Sequence, residues 1–156
     1  MTKKDTYTAV FRELEIRLAK GGDPVADLGN TAAVLKKRLR YYWIGFYMLR
    51  RDRLVLGPFQ GTPACVYLSL DAGVCAAAVR RKAAIIVDNV GEFPGHVACD
   101  PESRSEIVVP CFDRQKRLRA VLDIDHTLTG AFDQTDREEL EKITRLVAGL
   151  WDSFPV

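Results

Sequence analysis

No apolar run in these 156 residues approaches the roughly 20 that a bilayer-spanning helix needs, which excludes a helical membrane protein. Histidine is scarce, at two residues, and the four cysteines include no C-x-x-C pair. His96 and Cys99 share an i, i+3 spacing, but the other cysteines lie far away in sequence, so no metal site is expected. An excess of one charge is also missing. The balance of 23 basic against 21 acidic residues leaves +2, too little for bulk attraction to nucleic acid or to a membrane surface. Three local basic clusters, Lys36-Lys37-Arg38, Arg50-Arg51 with Arg53, and Arg80-Arg81-Lys82, read as solvated faces. There is no internal repeat, low-complexity tract or linker, which predicts one domain over residues 1–156. The opening Met1-Thr2-Lys3-Lys4 carries no apolar signal-peptide core, which predicts a cytoplasmic protein. Stable structural disulfides are not expected in that compartment. Its thiols are catalytic, ligating or buried.

What is present is a clear run of elements. Tyr7, Phe11, Leu14 and Leu18 recur at helical spacing over 5–20, and Gly21-Gly22 stops the run. Asp23-Pro24 starts a second helix that reaches Leu39, with Leu28, Ala32, Leu35 and Leu39 on one face. YYWIGFYMLR (41–50) reads as a buried strand. A turn at Arg51-Asp52 leads into LVLGPF (54–59), and ACVYLSL (64–70) is a further strand. Gly73 opens a short alanine-rich helix, AAIIVDN (83–89) is a strand, and 91–104 is an irregular loop. Strands 105–113 and 118–126 flank a polar turn. Phe132-Asp133 introduces a last helix with Leu140, Ile143, Leu146, Val147 and Leu150 on one face. The order predicts an α+β fold, a largely antiparallel central sheet of about six strands with N- and C-terminal helices packed on it.

The chemistry-bearing residues lie from the third expected strand onward. Cys65, Cys75 and Cys99 occupy three different local settings, GTPACV, DAGVCAAA and FPGHVACD. Glu106 follows seven residues after Cys99, and the VLDIDH segment carries Asp123 and Asp125. Alternation along a strand puts these two aspartates on one face and turns Ile124 away. Thiols with carboxylates to hand point to redox chemistry on sulfur. Cys111 follows an apolar stretch and reads as a core thiol.

The segments LGPFQGTPACV, GVCAAAV, NVGEFPGHVACDPESRSEIVVP and AVLDIDHTLTGAFDQTD together resemble free methionine-(R)-sulfoxide reductase, a family of GAF-fold enzymes. The resemblance covers about residues 25–150. It implies a GAF-like domain that reduces free L-methionine-(R)-sulfoxide to methionine by thiol chemistry. Residue by residue, it implies that Cys99 of the HVACD motif attacks the sulfoxide sulfur and passes through a sulfenic acid. Cys65 then closes a disulfide with it, with Cys75 as accessory or alternative partner. It places Glu106, Asp123 and Asp125 in the substrate site, and makes Trp43 the wall around the substrate methyl group. It further implies thioredoxin as reductant, a homodimer, and no cofactor. The chain departs from the family pattern at Ala76 and Ala120, where glycine is usual. Each adds one methyl group, which bears on local packing more than on chemistry.

The residue types suit such a reaction. A sulfoxide has an electron-poor sulfur and a basic oxygen, so its reduction needs a nucleophile, a proton source and a shaped apolar pocket. Glu106, with Asp125 nearby, is expected to keep a proton available through mutual repulsion and partial burial. The aspartates would face a substrate ammonium group. The competing function is a ligand-binding GAF module, which would bind stoichiometrically without consuming reductant.

Overall fold

The computed structural model describes residues 1–154. Two helices open the chain, α1 (Lys3–Ala19) and α2 (Pro24–Leu39). Strands β1 (Trp43–Leu49), β2 (Arg53–Gln60) and β3 (Tyr67–Ser69) follow, then α3 (Val74–Arg81), β4 (Ile85–Val87), β5 (Ser105–Phe112) and β6 (Leu118–His126). Helix α4 (Gln134–Leu146) and a 3-10 turn (Ala148–Asp152) close it. The six strands form one antiparallel sheet in the order β3-β2-β1-β6-β5-β4.

Local chemistry sets the helix ends. Thr2 accepts from the Asp5 amide at 3.1 Å while Asp5 accepts from the Thr2 amide at 2.9 Å, a reciprocal cap that satisfies two free donors of α1. Asp23 caps α2 ahead of Pro24, whose missing N–H costs nothing at that position. Asp133 and Asp136 repeat the reciprocal cap at α4.

Strand alternation divides the sheet into two faces. Ile44, Phe46 and Met48 of β1, Ile107, Val109 and Cys111 of β5, and Leu122 and Ile124 of β6 meet α2 and α4 in one core. Helix α1 lies on α2 and α4. Trp43, Tyr47, Val108 and Val121 point to the other face, where α3 packs. The helical layer is locked by a buried carboxylate. Asp136 is fully buried and accepts from the hydroxyls of Tyr7 (2.7 Å) and Tyr41, from Lys3 Nζ (2.6 Å) and from the Asp133 amide (2.8 Å). A buried carboxylate is stable only when its lone pairs are filled this way.

The structure differs from the sequence reading at several places. The expected strand 64–70 shortens to Tyr67–Ser69; Val66 adds one backbone bond to β2, its carbonyl accepting from the Leu56 amide at 2.9 Å, while Ala64 and Cys65 stay outside the ladder. Strand 83–89 shrinks to Ile85–Val87, and the loop 91–104 starts within a 3-10 turn, Val90–Glu92, capped by Asn89. Helix α4 ends at Leu146, so Leu150 packs from the following 3-10 turn. Lys36 belongs to no solvated face: it is half-buried and its ammonium donates to the carbonyls of Tyr41 and Tyr42 (2.7 Å to Tyr42), closing the passage from α2 into β1. Arg38 is exposed but pairs with Glu13 of α1 at 2.8 Å.

Candidate functional site

A pocket opens on the α3 face of the sheet, between the β2–β3 loop and the segment that joins β4 to β5. The sheet supplies its floor. Antiparallel pairing sets Asp125 opposite both Trp43 and Glu106, and Asp123 opposite Gly45 and Val108. Three acidic side chains from two adjacent strands therefore share one small area. Helix α3 adds Cys75 from its first turn.

Trp43 forms a wall of the pocket. Its indole N–H donates to the Thr62 carbonyl at 2.9 Å, and the ring stacks between Phe59 (centroids 5.4 Å apart) and Tyr47 (6.0 Å). Two glycines make room for it. A Cβ on Gly45 would fall 2.5 Å from the Trp43 ring and from Phe59, and one on Gly61 would fall 2.6 Å from the indole. Gly61 also has φ +140°, a backbone conformation that side chains disfavour.

The loops bring two thiols together. Cys65, just before β3, and Cys99, in the segment before β5, are joined in a disulfide with Cα atoms 5.6 Å apart. Both are half-buried. Asp100, the residue after Cys99, accepts from the Tyr42 hydroxyl at 3.0 Å and from the Thr62 hydroxyl at 2.7 Å. Tyr47 donates to the Cys65 carbonyl at 2.8 Å. Tyr47 of β1 and Tyr42, the residue just before that strand, thus hold the two cysteine loops through side chains. The Glu102 amide and the Thr62 hydroxyl keep the Asp100 carboxylate ionised below its ordinary range.

The acids below the disulfide behave in the opposite way. Glu106 and Asp123 are each 6 % exposed. Burial first, then the charges of Asp123 and Asp125, push the Glu106 carboxyl well above its usual range. Asp125 is raised for the same first reason, although the Ser103 hydroxyl donates to it at 2.6 Å. Asp123 is raised by burial, and its Oδ1 has no hydrogen-bond partner. Cys75 is free and buried, with Sγ 4.0 Å from Glu106 Oε1, and burial and the three acids raise its thiol strongly. Its sulfur and the carboxylate oxygens of Glu106 and Asp123 all lie within 4.8 Å of one another, a spacing from which a metal ion could be held. His96 Nε2 is 4.0 Å from Glu106 Oε2, and burial lowers its pKa. No lysine or arginine lines the pocket among the described residues.

A GAF domain profile matches residues 30–152. Free methionine-R-sulfoxide reductase of Escherichia coli is 41% identical over 144 residues, covering 92% of this chain and 87% of that protein. The structure of free methionine-R-sulfoxide reductase from Neisseria meningitidis in complex with its substrate superposes with a TM-score of 0.93 at 38% identity, covering 97% of this chain and 92% of that one. A reduced-form structure of the Staphylococcus aureus fRMsr follows at 0.87 and 40% identity, covering 93% and 94%. This chain belongs to the free methionine-R-sulfoxide reductases, within the GAF family. The α+β, GAF-like fold expected from the sequence is the one observed.

Within this reductase fold, Trp43, Cys75, Cys99, Glu106, Asp123 and Asp125 all line the pocket, and Cys65 reaches it through the disulfide. Glu106 is more deeply buried than the sequence reading allowed, and it feels Asp123 ahead of Asp125. The two departures from the family pattern are absorbed. Ala76 and Ala120 are both buried, Ala120 in the apolar core on the helical side of the sheet. Cys111 is fully buried there too, and burial raises its thiol. Sequence reasoning passed over Tyr42, Tyr47, Asp100 and Ser103. For Tyr47 a signal existed: Trp43, Gly45 and Tyr47 alternate along one strand, so a wall at Trp43 implies a neighbour at Tyr47. Asp100 lay inside the HVACD motif without a role attached. Tyr42 and Ser103 gave no signal, because only tertiary contacts connect them to the site.

Proposed function

We propose that this chain reduces free L-methionine-(R)-sulfoxide to methionine, with Cys99 as nucleophile and Cys65 as resolving thiol. The observation that carries this reading is the Cys65–Cys99 disulfide at the mouth of a pocket floored by buried, proton-holding carboxyl groups. The cavity holds about 60 Å³, space for roughly four or five waters and so for a solute of amino-acid size.

In the proposed reaction the Cys99 thiolate attacks the electron-poor sulfur while the Glu106 carboxyl protonates the sulfoxide oxygen. The oxygen passes to Cys99 as a sulfenic acid, and methionine leaves with its sulfur reduced. Cys65 then attacks the Cys99 sulfur, water departs, and the disulfide forms. A dithiol such as thioredoxin returns both cysteines to thiols by exchange and is itself oxidised. Cys75, whose sulfur lines the same pocket, is the alternative resolving partner. Asp123 and Asp125 face the substrate ammonium. The Asp123 oxygen that lacks a partner supports that assignment. Trp43 packs against the methyl group and selects the configuration at sulfur. The working protein is read as a cytoplasmic homodimer of single-domain chains, without a cofactor.

The test is thioredoxin-coupled NADPH consumption with free L-methionine-(R)-sulfoxide, with the (S) epimer and a peptide-bound sulfoxide as controls. Turnover of the free (R) form alone is expected. No turnover of any form by protein with reduced thiols would replace this reading by a ligand-binding GAF module.

A further inference from the structure

We infer that Cys75, Glu106 and Asp123 form a binding site for a thiophilic divalent cation of the zinc type, and that its occupancy closes the pocket to substrate. The second half rests on the pocket being the methionine sulfoxide site. The first half stands without it.

The three residues come from three elements, α3, β5 and β6, and are separated by 31 residues or more between thiol and carboxyls. No sequence spacing announces them. In the fold, one sulfur and two carboxylate oxygens lie within 4.8 Å of one another, all on buried side chains. Asp123 Oδ1 is the second observation. It is enclosed by protein, on a side chain 6 % exposed, and no group outside the cluster donates to it: only Glu106 and Cys75, themselves members of the trio, share protons with Asp123. An unfilled buried carboxylate oxygen is costly, and a cation is one partner that would fill it. No lysine or arginine among the lining residues competes for that role.

The donor set selects the kind of ion. Magnesium and calcium prefer six or more oxygen ligands, which this site does not have. One thiolate with two carboxylates, formed as the ion displaces to solvent the protons these groups hold, suits zinc, which accepts sulfur and oxygen in a tetrahedron. Bonds of about 2.3 Å to sulfur and about 2.0 Å to oxygen bring neighbouring ligand atoms to about 3.5 Å of each other. Cys75 Sγ and Glu106 Oε1 are 4.0 Å apart, so small side-chain rotations complete the geometry. The fourth position falls to water or to His96, whose Nε2 is 4.0 Å from the other Glu106 oxygen. An ion there would occupy the carboxylates proposed to face the substrate ammonium.

Because Cys75 lies outside the disulfide, the site is complete while Cys65 and Cys99 are bonded to each other. The test therefore uses the disulfide form, in which the two paired thiols cannot bind metal. Calorimetric titration with zinc chloride is expected to show one ion per chain, and cobalt chloride a thiolate-to-cobalt charge-transfer band. Cys75→Ala and Asp123→Asn, each checked for folding by thermal unfolding, are expected to weaken binding at least roughly tenfold. No stoichiometric binding, equal binding in both variants, or a cobalt complex without the thiolate band would each overturn the site. The blockade is tested in the Cys65→Ser/Cys99→Ser double variant, which cannot turn over and offers the ion neither loop thiol. There, saturating free methionine-(R)-sulfoxide is expected to weaken zinc binding roughly tenfold by mass action. An unchanged zinc affinity overturns the blockade. If the wild-type protein reduces no sulfoxide, the functional reading fails while the zinc titration still decides the metal site.

Discussion

Glu106 and Asp125 sit directly opposite each other across the β5–β6 pairing, so two carboxyl groups share one stretch of buried sheet. Asp123, two residues along the same strand face, makes a third. Such a cluster keeps protons that isolated carboxyls would release.

The first prediction concerns pH. Burial, then the charges of Asp123 and Asp125, holds the Glu106 carboxyl well above its ordinary range. A carboxyl raised on folding binds its proton more tightly in the folded state. Its contribution to stability is therefore fully present below the unfolded value, about 4.3, and is lost as pH rises through the folded one. Glu106→Gln removes that loss. It is expected to stabilise the protein by on the order of 1–3 kcal/mol above the folded value, with the gain vanishing near pH 4. Urea unfolding of parent and variant across this range checks it. The same variant is expected to lose roughly a hundredfold in reductase rate, the usual scale for removing a general acid.

Gly45→Ala tests the seat of Trp43. The new methyl group would meet the indole and Phe59 at 2.5 Å, so the ring must shift. Overpacking of this kind costs about 1–3 kcal/mol. Denaturation midpoints should fall accordingly, and KM for the sulfoxide should rise more than kcat falls. A variant with unchanged KM would remove Trp43 from the substrate wall.

The thiols make separable predictions. Cys99→Ser is expected to abolish reduction. Cys65→Ser should complete one turnover and then stall, unless Cys75 takes over as resolving thiol. Rapid-quench mass spectrometry distinguishes the two outcomes by the disulfide that accumulates. Sustained turnover by Cys99→Ser would end its assignment as nucleophile.

Asp136 governs folding instead of chemistry. Asp136→Ala leaves the hydroxyls of Tyr7 and Tyr41 without their acceptor and Lys3 without its closer partner. The expected cost is about 3–5 kcal/mol, the range for breaking a buried charged network. Tyr7→Phe removes one bond only and should cost about 1–2 kcal/mol. Equal losses in both variants would show that Asp136 is not the centre of the network.

Much of this protein was legible from residue order alone. Periodicity placed α1, and with Asp23-Pro24 and Phe132-Asp133 it placed α2 and α4, because Asp23 and Asp133 act on amides two or three residues away; the Thr2 cap, which starts α1 at Lys3 and not at residue 5, went unread. Alternation put Asp123 and Asp125 on one face and Ile124 on the other, a consequence of the pleat. Motif order carried the family resemblance. What remained hidden depends on distance through space. The sequence does not tell that Tyr42 and Thr62 meet at Asp100, that Glu106 is nearly sealed from water, or that an oxygen of Asp123 lacks a donor. Nor does it shorten β3, which begins only at Tyr67, after the chain has left the cysteine pair at Cys65. Local preferences are written within a few residues. Burial and the long-range contacts that shift a carboxyl's proton affinity exist only once six strands and four helices have packed.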